Sequence, residues 1–300
     1  MSMHWSLEGR KLGRTLIALA SAGAVMLGAT VALADDDDHD RGSGPRAEAV
    51  TIDTNLVVYT PPVRLKSPAR RATATVILLT GGDGLLDLSA GPPADPQNEE
   101  GTITESTGNF LIRSADLFLG KGLNVMMADG CPAFCTTGIG LGQRLQNDSH
   151  ESNLQGFINA ATARWGKPVW IVGTSNGSVS AVRAAGALTG IKGVILTSSR
   201  TDFSGTSNPA GNLAIFNDFV ANINVPALVM WHKHDACGVS TPANSLALFN
   251  AIPSTNKQSR VIDGGHSVAT DNCGAFSEHG YAGVEKEAVD KIADFIKDNP

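Results

Sequence analysis

A short apolar run, Val169-Trp170-Ile171-Val172, drives straight into Gly173-Thr174-Ser175-Asn176-Gly177, and the small-residue stretch from Ser178 to Leu188 follows at once. The pattern predicts a strand that reverses sharply into a helix. Glycines on either side let the backbone bend, and the serine hydroxyl is pushed out at the strand's C-terminal end. The hydroxyl then stands at a helix N-terminus, where backbone N–H groups can stabilise an oxyanion. Gly-x-Ser-x-Gly alone is a weak pattern, because Gly and Ser are common. The flanking strand and helix are what make it specific.

The rest of the chain supplies the matching architecture. Apolar β-branched runs at 73–80, 123–128, 191–197, 227–231 and 259–262 read as further strands, and 47–59 as one or two antiparallel edge strands. Helical periodicity runs over 109–121, 149–164, 211–223, 245–251 and 283–297. Strands alternating with helices imply an α/β domain, with a mostly parallel central sheet and helices on both faces. No repeat and no second apolar core interrupts it, so residues 47–300 are expected to form one domain.

The N-terminus reads as an address. Arg10, Lys11 and Arg14 precede an apolar run from Leu16 to Leu33, and Ala32-Leu33-Ala34 ends it with a small-x-small pattern. That is the layout of a Sec-type signal peptide over residues 1–34, and it predicts a periplasmic or secreted protein with no stable membrane association after cleavage. The charged, Gly/Pro-rich residues 35–46 are expected to be a solvated linker. Losing the leader's three cations and one anion takes the net charge from −6 to −8. An acidic chain with no basic stripe excludes nucleic acid as the expected partner. Four cysteines in an exported chain suggest two disulfides, with a local Cys131–Cys135 bridge and a long-range Cys237–Cys273 bridge as one of three formal pairings.

In such a sheet, catalytic groups collect beyond the C-terminal strand ends. Thr80-Gly81-Gly82-Asp83-Gly84 follows one strand, and its glycines let a backbone N–H approach an oxyanion. Gly82 and Asp83 are therefore candidates for one side of an oxyanion hole, and the N–H of Asn176 for the other. Asp235 follows another strand, where a carboxylate can orient a histidine. Two histidines are candidates for the base that takes the Ser175 proton. His266 comes directly after the last strand, and His279 thirteen residues later. A rival reading groups His232, His234, Asp235 and Cys237 as metal ligands, but alternate residues of an extended segment point opposite ways. No metal and no cofactor is expected.

The order Ser175, Asp235, then histidine resembles that of the α/β-hydrolase superfamily, over about residues 48–297. More narrowly, Val169–Gly177, Asp235-Ala-Cys237, and Cys273 followed by His279-Gly-Tyr281 and Glu285 are similar to small exported bacterial members. The resemblance implies a serine hydrolase with a small acyl substrate, most simply a carboxylic ester, although thioesters and amides suit the same chemistry. It bears on both histidines. Bases in the superfamily commonly precede an acidic residue at the start of the final helix, as His279 does, or follow Gly after the last strand, as His266 does. With Cys273 bonded to Cys237 beside Asp235, His279 would fold back over the strand end, which favours it. Residues 200–224 occupy the place where such folds insert a lid, and their length implies a short one. A non-catalytic binding protein on the same fold is the alternative from another class, as is a metal-dependent hydrolase using His232, His234 and Asp235.

Overall fold

Near-continuous apolar strands need cover on both faces, and the described residues supply it. The computed structural model describes residues 46–51, 62–68, 71–82, 84, 86, 107–128, 148–201 and 218–300. The chain divides into Met1–Leu33 and Ala34–Pro300, and every described residue belongs to the second. The leader, nearly all of the linker, Asp83, Cys131, Cys135 and most of the lid segment lie outside the described residues.

Among the described residues eight strands form one sheet: β1 (Arg46–Thr51), β2 (Pro62–Ser67), β3 (Ala74–Leu79), β4 (Leu123–Ala128), β5 (Val169–Thr174), β6 (Gly193–Thr197), β7 (Ala227–His232) and β8 (Lys257–Ile262). Their order across the sheet is β1-β2-β4-β3-β5-β6-β7-β8. The pairs β1–β2 and β2–β4 are antiparallel, and every other pair is parallel. The second edge strand comes later than the 47–59 run suggested. Its register, Val63 opposite Ala128, is set by pairing with β4, and Pro62 is tolerated as the first residue of a strand.

Side chains alternate between the two faces of this one sheet. Val76, Leu78, Trp170, Val172, Leu228 and Met230 join one cluster, while Ile77, Leu79, Ile171 and Val229 join the other. The period of two divides each strand between the faces, which is how a doubly covered sheet is built. The α-helices that the described residues define are α1 (Phe110–Arg113), α2 (Ala115–Gly120), α3 (Asp148–Trp165), α4 (Asn176–Ala187), α5 (Pro242–Ala251) and α6 (Glu285–Asp298). In α3, Leu154, Phe157, Ile158 and Ala161 recur at helical spacing and face the same core as Val179 and Val182 of α4. Phe110 and Phe118, with Val289, Ile292 and Ile296 of α6, cover the opposite face.

Two helices differ from the sequence reading for local reasons. The 109–121 stretch breaks at Ser114, whose φ of −97° and ψ of 3° turn the chain between α1 and α2. The helix read at 245–251 starts earlier, because Thr241 accepts a hydrogen bond from the Asn244 N–H and Pro242 fills the first turn.

Candidate active site

The turn between β5 and α4 holds Ser175 at φ 52° and ψ −123°, a conformation that strains a residue carrying a side chain. Hydrogen bonds on both sides fix it. Its N–H donates to the Thr197 carbonyl at 3.1 Å, and its own carbonyl accepts from the Ser178 N–H at 3.0 Å and the Ser178 hydroxyl at 2.6 Å. The glycines are needed for approach as much as for bending. A Cβ on Gly177 would stand 2.1 Å from the Leu79 carbonyl oxygen, so any side chain there would drive α4 off the end of β3. A Cβ on Gly81 would stand 2.8 Å from the Ser175 Cβ. The loop after β3 therefore passes Ser175 as bare backbone.

On that loop Gly82 is left-handed at φ 66°, and its carbonyl accepts from the Asn176 side-chain amide at 2.7 Å. The Arg200 guanidinium donates to the other end of that amide, Oδ1, at 2.9 Å. Asn176 is the first residue of α4, so its backbone N–H has no acceptor within the helix.

Beyond β7 the chain turns back with Asp235 buried. One carboxylate oxygen, Oδ1, accepts from the Cys237 N–H at 2.9 Å. The other, Oδ2, faces His279 Nδ1 at 3.0 Å and the Ser240 hydroxyl at 3.2 Å. Ser240 Oγ also lies 2.8 Å from Nδ1. An ionised carboxylate only accepts, so it selects the neutral ring form with the proton on Nδ1 and the lone pair on Nε2. That is the tautomer a general base needs.

His279 reaches this position from a short 3-10 helix, Glu278–Gly280, capped by the Ser277 hydroxyl. Its carbonyl accepts from the Ser198 hydroxyl at 2.8 Å. The next residue, Tyr281, is left-handed at φ 59°, and its hydroxyl donates to the Met230 carbonyl at 3.0 Å. Complete burial pushes the Tyr281 phenol far above its ordinary range, so it stays a neutral donor. Cys237 and Cys273 are disulfide-bonded, which ties the Asp235 turn to the loop that carries His279.

A cleft of about 210 Å³ opens at this end of the sheet, and Gly81, Gly82, Phe110, Ser175, Ala275 and His279 are among the residues that line it. Ser175 and His279 thus share one space, and His279 and Asp235 share one hydrogen bond. His266 is placed differently. It is exposed, its backbone N–H donates to the Ala282 carbonyl, and the hydrogen bond to Asp235 is made by His279.

The proposed metal ligands are not brought together. His232 is buried, with Nε2 donating to the Gly264 carbonyl at 2.9 Å and Nδ1 accepting from the His234 N–H at 3.2 Å. His234 points outward to Asp263. Asp235, Cys237 and His279 do bring one ligand atom each within 4.8 Å of one another. They suit a metal poorly, since the Cys237 sulfur is bonded to Cys273 and the other two groups bond each other.

Three contributors have no signature in the sequence. Ser240, Ser198 and Arg200 are ordinary residues in ordinary loops, and only the fold brings them against Asp235, His279 and Asn176.

No family model matches this chain, and no curated protein matches it by sequence. Solved structures do match in shape. A dienelactone hydrolase from Anabaena variabilis is similar at 15% identity, with a TM-score of 0.57 over 86% of this chain and 99% of that one. An esterase from Pyrococcus furiosus is similar at 14% identity and a TM-score of 0.56, over 84% of this chain and 92% of that one. The esterase domain of a Rhodothermus marinus protein follows at 13% identity and a TM-score of 0.53, covering 83% and 99% of the two chains. At such identities the likeness is one of fold.

Proposed function

The chain has the α/β-hydrolase fold, and on that frame we propose that it is a serine hydrolase that cleaves a carboxylic ester through an acyl-enzyme on Ser175. The observation that carries this reading is the buried His279–Asp235 pair, whose imidazole lines the same cleft as a serine held on a strained strand–helix turn. Ser175 Oγ attacks the ester carbonyl carbon while His279 Nε2 takes its proton. Asp235 holds the ring and stabilises the imidazolium that forms. The carbonyl oxygen, now negative, is met by the N–H of Asn176 and by the backbone of the loop after β3. Collapse of the tetrahedral intermediate breaks the bond to the alkoxy oxygen, which leaves as the alcohol with the proton from His279. Water, deprotonated by the same histidine, then releases the acid and frees Ser175.

Esters need the least help in expelling the leaving group, so they are the proposed substrate class. The Cys237–Cys273 bridge and the leader-like N-terminus together support a place outside the cytoplasm, where disulfides persist.

Labelling with a fluorophosphonate, followed by peptide mass spectrometry, tests the mechanism. The expected result is a single adduct on Ser175 that disappears in His279→Ala. An adduct on another residue, or none on folded protein, overturns it.

A further inference from the structure

Resting on the acyl-transfer reading above, we propose that the Asn176 side chain is a positioning residue of the oxyanion site. It clamps the Gly82 carbonyl opposite Ser175, through an amide whose orientation Arg200 sets. The loop after β3 has a weakness built into it. Gly81 must be glycine to pass Ser175, and Gly82 sits at φ 66°, so at these two residues the wall facing the nucleophile is backbone with no side chain of its own. Glycine peptides rotate easily. A rotation that turned a carbonyl oxygen into the cleft would set a negative dipole against the oxyanion, where a donor is needed.

Both peptide groups that flank Gly82 are held by their carbonyls. The Gly81 carbonyl accepts from the Gly84 N–H at 3.2 Å, and the Gly82 carbonyl accepts from Asn176 Nδ2 at 2.7 Å. In a planar trans peptide the N–H points opposite its own carbonyl, so fixing the Gly81 C=O fixes the direction of the Gly82 N–H, and fixing the Gly82 C=O keeps that oxygen from turning into the cleft. The first bond belongs to the turn itself. The second comes from the helix that starts at the nucleophile, and it couples the two sides of the site.

An amide could be placed with either end toward Gly82. The Arg200 guanidinium has only donors, so the end it meets must be the oxygen, and the NH₂ end is thereby aimed at Gly82. The Arg200 backbone is held too, its N–H donating to the Ser178 hydroxyl at 3.2 Å. Asn176 then serves twice, with its main-chain N–H on the oxyanion and its side chain on the opposite wall.

Two variants test this, Asn176→Ala and Asn176→Asp. Both keep the backbone N–H. The aspartate also keeps the shape and the Arg200 contact, and suits a helix N-terminus, but cannot donate to the Gly82 carbonyl. The expected result is a kcat lower by about 10- to 100-fold in each, with KM little changed and thermal stability retained. Affinity for a trifluoromethyl ketone, which forms a tetrahedral oxyanion on Ser175, should fall in proportion to kcat/KM. Unchanged kcat and ketone affinity in both variants overturns the clamp. So do losses that track a lowered melting temperature while ketone affinity holds. Ser175→Ala runs in parallel: if it hydrolyses the ester as fast as wild type, the acyl-enzyme reading falls and the clamp falls with it. If Ser175→Ala is dead and both Asn176 variants are unaffected, only the clamp falls.

Discussion

Cys237 and Cys273 are bonded to each other two residues after Asp235 and six residues before His279, so one covalent link joins the two loops that supply the buried pair. The link closes a loop, since 36 residues separate the two cysteines along the sequence. For a loop of this length the chain-entropy account gives a stabilisation of about 3–4 kcal/mol. Replacing both cysteines by alanine should lower stability by about that amount in a denaturant titration. The activity at a temperature well below unfolding should fall further, since Asp235 loses its fixed distance to His279. Unchanged kcat in a folded double variant would show that the hydrogen bond alone sets the pair.

The two histidines predict opposite outcomes. His279→Ala removes the base that faces Asp235 and should lower kcat by about 10⁴-fold or more. Asp235→Asn should also cost about 10⁴-fold, because the amide favours the wrong imidazole tautomer. His266→Ala should leave ester hydrolysis near the wild-type rate, since it is exposed and, among the described residues, Asp235 is hydrogen-bonded to His279 instead. Steady-state kinetics on a short-chain ester decides it. A dead His266 variant with an active His279 variant would reverse the assignment.

Much of this was legible in the sequence, and for a physical reason. Strand–helix alternation is carried by local apolar periodicity, so the sheet, its helical cover on both faces and the elbow at Ser175 could be read from residues near one another. Asp235 was legible because it follows a strand end. The choice of histidine leaned to His279 only through the assumed Cys237–Cys273 pairing, because His279 reaches Asp235 through a long excursion after β8, closed by that disulfide and a left-handed Tyr281. Ser240 and Arg200 were illegible for the same reason, as their partners are set by loop packing and no spacing rule encodes it. The break at Ser114 was also hidden, since apolar residues on both sides keep helical spacing across it.

Ser240 gives a prediction about stability. It is fully buried, and its hydroxyl donates to the Asp235 carboxylate, which is nearly inaccessible to water. Hydrogen bonds to a charged group contribute about 1.5–3 kcal/mol. Ser240→Ala should lower unfolding free energy by about that much in urea at neutral pH. Ser240→Thr, which restores a donor at the same place, should recover part of the loss if its methyl group is accommodated. An alanine variant as stable as wild type would show that the Cys237 N–H and His279 satisfy the carboxylate without it.

Arg113 and Glu285 give the pH-dependent prediction. Arg113 donates from Nε at 3.1 Å and from Nη2 at 2.9 Å to one Glu285 oxygen. The same guanidinium holds the carbonyls of Gly108 and Gly280, so it braces a cleft wall and the residue after His279. Burial works against ionisation of Glu285. The hydrogen bonds from its own N–H, from Arg113 and from Gly283 outweigh that, and its carboxyl is held below the ordinary value of 4.5. A carboxylate that is more acidic in the folded chain than in the unfolded one stabilises the fold above pH 4.5, and this stabilisation is lost as pH falls below that value through the folded pKa. Glu285→Gln cannot ionise and should be less stable than wild type at neutral pH. The gap in melting temperature between the two should then narrow as the solution is acidified below pH 4.5. Asp290 is also held acidic, by Lys121 and Lys286, so the difference between the proteins is the quantity to read, and the acid limb of either curve alone is not. A gap that stays constant from neutral pH into strong acid would mean that the Glu285 charge contributes nothing and that the side chain acts by shape alone.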